Sequence, residues 1–132
     1  MNPINIPRQF RTLMIEQALK ELPNECCGLL LGKNNTVLRI IPMENIDPSP
    51  EAYFMDPVRQ ADIFTEMERK GEKLIGIYHS HPKGPAFPSE TDLKTAFHPN
   101  TAYIIISLEN PEKPELGAFM IENGSYQEVK LI

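Results

Sequence analysis

The chain has 132 residues, 41% of them hydrophobic and 23% charged, with a formal net charge of −5, as expected of one domain (1–132) able to bury a real core. That negative balance argues against a nucleic-acid phosphate backbone or an anionic membrane as the main partner. No apolar run approaches the ~20 residues a membrane helix needs, and the opening MNPINIPRQF lacks the charged-then-apolar order of a signal peptide.

A first helix is predicted where Phe10, Leu13, Met14, Ala18 and Leu22 share one stripe, with Pro23 closing it. The two cysteines, Cys26 and Cys27, follow side by side. A bridge between neighbours is strained and closes no useful loop, so buried thiols in a reducing cytoplasm are expected. A catalytic thiol would need a lowered pKa, and the local sequence offers no activating base.

CCGLLLG and TVLRIIP read as two strands joined by the polar turn Lys33-Asn34-Asn35. A proline-studded connection follows, with a short extended piece at Tyr53–Met55. Asp56 is a good N-cap and Pro57 a good first helical residue, so a second helix is predicted to run to about Lys70 and stop at Gly71. KLIGIYHSH carries apolar residues on both faces, as a central strand does. Ser89 opens a third short helix predicted to end near His98-Pro99. The strands TAYIIISL, ELGAFMIE and YQEVKLI complete the chain, the last two joined by the hairpin signal Asn123-Gly124. This order predicts an α/β domain, a mixed sheet flanked by helices.

Chemistry concentrates in GIYHSHPKGPAFPSETD, residues 76–92. Alternate residues of a strand point to one side, so His79 and His81 converge, on the side expected also for Ile75 and Ile77. The loop that follows is long enough to bring Asp92, in the first turn of the third helix, beside both rings. Two imidazoles and one carboxylate make a three-ligand zinc set with an open fourth position, the arrangement of catalytic sites. A closed structural site would need a fourth ligand, for which Cys26 or Cys27 is the nearby soft candidate. Glu25, at the entry to a buried strand, is a candidate proton carrier, because a carboxylate there needs a partner.

Plainer readings of the same residues stand beside these. His79-Ser80-His81 could be a polar strand end meeting solvent. Ser89 and Asp92 match a capping box, and Asp92 does not easily serve as both cap and ligand. Glu25 could be an exposed carboxylate in the turn Pro23-Asn24-Glu25. His98 before Pro99 reads as a helix end rather than a ligand.

Taken together, Glu25 in NECCGLLLG and His79, His81, Pro82, Ser89 and Asp92 in HSHPKGPAFPSETD resemble the signature of the JAMM, or MPN-plus, zinc metallopeptidases. The order of elements follows that family over essentially the whole chain. The resemblance implies the MPN fold, with its cytidine-deaminase-like architecture, and peptide or isopeptide hydrolysis. His79, His81 and Asp92 would hold Zn2+, Glu25 would activate the attacking water, and Ser89 would donate to the oxyanion. The implied partner is a ubiquitin-like or sulfur-carrier protein with a Gly-Gly C-terminus, since the chain lacks room for long insertions and resembles the compact prokaryotic type. Two alternatives are a non-catalytic MPN scaffold, which typically loses the metal ligands, and a zinc deaminase. The latter would need a Cys-x-x-Cys pair that adjacent cysteines do not supply.

Overall fold

The computed structural model describes residues 2–132. In chain order the elements are helix α1 (Arg8–Lys20), strands β1 (Cys27–Lys33) and β2 (Thr36–Met43), and helix α2 (Pro57–Arg69). Strand β3 (Lys73–His81), helix α3 (Glu90–Thr95) and strands β4 (Ala102–Ser107), β5 (Glu115–Glu122) and β6 (Ser125–Val129) follow. The six strands form one sheet in the order β2-β1-β3-β4-β5-β6. β3 and β4 run parallel and the other neighbours antiparallel. This is the mixed α/β sheet expected from the sequence. A parallel pair requires a crossover, and the chain from His81 through α3 provides it.

Local chemistry explains the tight connections. The turns at Asn34-Asn35 and Asn123-Gly124 take positive φ at both residues, the conformation that matches strand twist and that Asn and Gly tolerate. Asp56 caps α2 by accepting from the Val58 N–H at 2.9 Å, with Pro57 at the first helical position, and Gly71 follows the helix at φ 70°.

Each face of the sheet is covered. On one, α1 lays Met14 and Ala18 against Leu30, Tyr78, Ile104 and Ile106. On the other, Ile63, Phe64 and Met67 of α2 and Leu93 of α3 pack on Leu29, Ile77, Ile105 and Phe119. The alternation is strict in β4, whose Ile104 and Ile106 face α1 while Tyr103 and Ile105 face α2 and α3.

Three expectations need correction. Ile75 does not share a face with the histidines. The β1–β3 register slips between Leu30 and Leu31, which pair with Gly76 and Leu74. A bulge of one residue reverses the side on which the preceding side chains point, so Ile75 joins the α1 core instead. Helix α1 stops at Lys20, short of Pro23. Leu13 and Leu22 stay 47% and 39% exposed, because Met14 and Ala18 already fill the contact with the sheet. Helix α3 ends at Thr95, with Ala96 in an extended conformation; the His98 N–H is directed instead to the Tyr103 hydroxyl at 3.1 Å. The piece at Tyr53–Met55 joins no strand of the sheet, and the Ile46 N–H donates to the Phe54 carbonyl at 2.9 Å.

Candidate active site

The site lies where β3 ends. Beyond the bulge, Ile77, His79 and His81 alternate onto the α2/α3 face, and both histidines are buried. β1 runs antiparallel beside them, with Cys27 opposite His79. The pairing continues one step further: the Cys26 N–H donates to Ser80 Oγ at 2.8 Å and the Ser80 N–H to the Cys26 carbonyl at 3.1 Å. Glu25 therefore enters the site from the segment just ahead of β1. It is 2% exposed, so it is not the surface carboxylate of a turn.

The loop from Pro82 to Pro88 is tied down at two points. The Ser107 hydroxyl donates to the Gly84 carbonyl at 2.6 Å, and His81 Nδ1 lies 2.8 Å from the Pro85 carbonyl. Since a carbonyl only accepts, Nδ1 carries the proton and Nε2 of neutral His81 presents its lone pair. Loop and helix then deliver Asp92. Ser89 Oγ accepts from the Asp92 N–H at 3.1 Å, and Asp92 Oδ2 accepts from the Ser89 N–H at 2.9 Å, a complete capping box.

The same Asp92 Oδ2 lies 3.1 Å from His79 Nε2 and 2.9 Å from His81 Nε2, and the two Nε2 atoms are 3.2 Å apart. Asp92 thus closes the helix and faces both rings through one oxygen, against the expectation that it could not do both. The reason is geometric: a capping box turns the carboxylate back toward the start of the helix, which is where the loop returns to His81.

His81 Nε2, Asp92 Oδ2 and, with its ring proton on Nδ1, His79 Nε2 are three lone-pair atoms close enough to share one cation. Zinc bonds of ~2.0–2.1 Å in a tetrahedron imply ligand separations of about 3.3 Å, close to the three edges of this triangle. The donor set, two imidazole nitrogens and a carboxylate oxygen, also suits that ion. The residues present therefore fit zinc. Cys26 and Cys27 do not join them. Both are free and buried, Cys26 in the α1 core and Cys27 against the Met43 carbonyl, and burial pushes both thiols up to about 12. His98 lies edge-on to Phe64 instead.

The charges agree with this picture. Burial pushes the Glu25 carboxyl up to about 8, His81 pulling it down and Asp92 and Glu51 adding to the rise. One of its oxygens, Oε1, is buried with no hydrogen-bond partner among the described residues. Without a metal, burial would raise Asp92 as well, but the adjacent His79 and His81 imidazoles hold it well below the usual carboxylate range. Burial lowers His79, against its bond to Asp92. At His81 burial acts in the same direction but is outweighed by the bonds to Asp92 and Pro85, so its pKa is raised.

A cleft of about 650 Å³ opens onto the site, with Glu25, His81 and Ser89 in its floor and Pro50, Pro82, Pro85 and Pro88 among its walls. Two residues that no sequence motif marks adjoin these groups: Asn45 Nδ2 donates to the Glu25 carbonyl at 3.1 Å and the Tyr53 ring stacks on His79.

Residues 7–122 match the model of the prokaryotic homologues of the JAB domain. The chain belongs to this family. Among relatives of this JAB domain, the CysO-cysteine peptidase of Mycobacterium tuberculosis is 36% identical over 117 residues, covering 87% of this chain and 80% of that protein. The probable TtuB-protein conjugate cleaving protease of Thermus thermophilus is 38% identical over 128 residues, covering 96% and 80%. The solution structure of a Desulfitobacterium hafniense protein superposes with a TM-score of 0.87 at 38% identity, covering 98% of this chain and 91% of that one. The JAMM resemblance and the MPN architecture expected from the sequence are thereby correct.

Proposed function

We propose that this JAB domain is a zinc-dependent peptidase that hydrolyses the bond after the C-terminal Gly-Gly of a ubiquitin-like or sulfur-carrier protein. The observation that carries this reading is the convergence of His79 Nε2, His81 Nε2 and Asp92 Oδ2 within 2.9–3.2 Å of one another, beside a buried carboxylate with an unpartnered oxygen. The relatives named for cleavage of CysO-cysteine and TtuB conjugates support the substrate class. Two buried free thiols suit the reducing cytoplasm expected for it.

His79, His81 and Asp92 would hold the zinc. Zinc bound there would polarise the scissile carbonyl and make water a nucleophile near neutral pH. The remaining steps belong to the chain. Glu25, buried beside the site, takes a proton from the attacking water and passes it to the leaving amine. The Pro85 carbonyl keeps His81 in the tautomer that presents Nε2. Ser89 Oγ accepts from the Asp92 N–H, which leaves the hydroxyl proton for the oxyanion that develops on the carbonyl. The proline walls of the cleft are stiff, so an extended tail without side chains suits it.

The test is incubation of a carrier–Gly-Gly–peptide fusion with the protein, read by mass spectrometry with chelator and after zinc is restored. Cleavage immediately after Gly-Gly, abolished by chelator and recovered with zinc, is expected. Cleavage indifferent to chelator, or none of any carrier fusion, would overturn the proposal.

A further inference from the structure

The two histidines of the site are held by different means. His81 is fixed through Nδ1 by the Pro85 carbonyl at 2.8 Å, the outer hydrogen bond that ligating histidines ordinarily make. His79 lacks one among the described residues: its Nδ1 is buried without a partner there. Its ring lies instead on the ring of Tyr53, with centroids 4.7 Å apart and planes inclined at 26°. Such a stack resists rotation of the imidazole about its Cβ–Cγ bond, because the ring faces would have to separate.

Tyr53 belongs to the segment between β2 and α2, and that segment is organised around one buried side chain. Asn45 is 5% exposed, and its amide is fully engaged. Nδ2 donates to the carbonyls of Glu25 and Ala52, each at 3.1 Å. Oδ1 accepts from the N–H groups of Asp47 at 3.2 Å and Phe54 at 3.1 Å. Two donors and two acceptors are all an asparagine side chain has. Ala52 and Phe54 flank Tyr53, so the same amide pins the backbone on both sides of the stacking ring. The Glu25 N–H is also bound to this segment, through the Ser49 carbonyl at 2.8 Å.

We propose that Asn45 and Tyr53 are positioning residues of the site. Asn45 locks Glu25 and the 45–54 segment into one frame, and Tyr53, carried on that frame, orients His79 by stacking where no hydrogen bond to Nδ1 does. The proposal rests on the zinc reading above. It ties the proton carrier and one metal ligand to a single strap, so that their relative placement is set before substrate arrives. The hydrogen bonds around the triangle do not use the Tyr53 hydroxyl, so the requirement is for an aromatic ring and not for a phenol.

The test uses the full chain stripped of metal, as wild type, Tyr53→Phe, Tyr53→Leu and Asn45→Ala, with Asn45→Ser as a milder change should Asn45→Ala fail to fold. Each protein is titrated with zinc against a chromophoric chelator, then loaded with cobalt for its visible absorption, and melted without metal. Wild type and Tyr53→Phe should bind zinc alike. Tyr53→Leu should bind at least about tenfold more weakly and show altered cobalt bands, and the Asn45 variants should follow in the same direction. A purely structural role would lower melting temperatures and leave zinc affinity and cobalt bands at wild-type values; that result would overturn the proposal. Tyr53→Phe as weak as Tyr53→Leu would overturn the stacking role in favour of the hydroxyl. Wild type without measurable zinc affinity would overturn the metal assignment itself, a result distinct from failure of the strap.

Discussion

Glu25 is the residue at which fold and chemistry conflict most openly. A carboxylate deprived of water and left with an unpartnered oxygen is unfavourable when ionised, and its pKa moves from 4.5 up to about 8 through burial. Between those two values the unfolded chain releases the proton while the folded metal-free protein keeps it. Stability contributed by Glu25 is thus complete below pH 4.5 and falls as pH rises toward 8. Glu25→Gln removes this dependence, so the metal-free variant should melt above wild type at pH 8 and alongside it near pH 4. It should also retain zinc while turnover falls by about 10² or more; loss of zinc together with activity would make Glu25 a ligand. Ser89 offers a second separation, because its oxygen caps α3 and its proton remains to donate. Loss of the cap costs ~1 kcal/mol, whereas loss of an oxyanion donor lowers kcat by ~10². Ser89→Ala should show both, with the rate loss dominant. A lower melting temperature with normal turnover would leave Ser89 as a cap alone.

At the scale of elements, β3 and α3 show what a sequence discloses. The two-residue period of a strand was enough to pair His79 with His81, and Ser89-x-x-Asp92 was enough to start a helix. Both signals are local, and both were legible. The bulge at Ile75 was not, because a bulge is defined by the partner strand and not by the bulged one. In sequence, Asn45 and Tyr53 are parts of a proline-rich connection and nothing more, for the same reason: the Asn45 amide meets the Glu25 backbone across 20 positions, and no periodicity records it. That one oxygen of Asp92 serves cap and cluster together was equally hidden, since it depends on where the loop returns. Pairing of β1 with β3 rests on another unlocalised feature. A Cβ on Gly28 would lie 2.2 Å from the Tyr78 ring, so the glycine lets that ring cross β1 just before His79. Gly28→Ala should therefore destabilise the fold by about 3 kcal/mol or more, at the upper end of overpacking costs, read as a lower denaturant midpoint. An unchanged midpoint would mean that the ring has room to move aside.

Across the whole molecule, one sheet holds the site and a stiff cleft admits to it. Ligands enter α/β sheets at the carboxyl ends of parallel strands, and His81 stands at that end of β3, paired with Ser107 at the end of β4. The walls contributed by Pro50 and by Pro82, Pro85 and Pro88 leave the cleft pre-formed. A carrier fusion whose final glycine is replaced by valine should therefore be cleaved far more slowly than the Gly-Gly parent, while residues beyond the cut are tolerated. Equal rates would remove the ubiquitin-like substrate class and leave the peptidase chemistry standing. Everything else depends on whether the triangle of His79, His81 and Asp92 holds a metal, and elemental analysis of the purified chain addresses that most directly. One zinc per chain is expected in wild type, with most of it lost in His81→Ala and in Asp92→Ala. Full zinc in both variants would contradict the assignment.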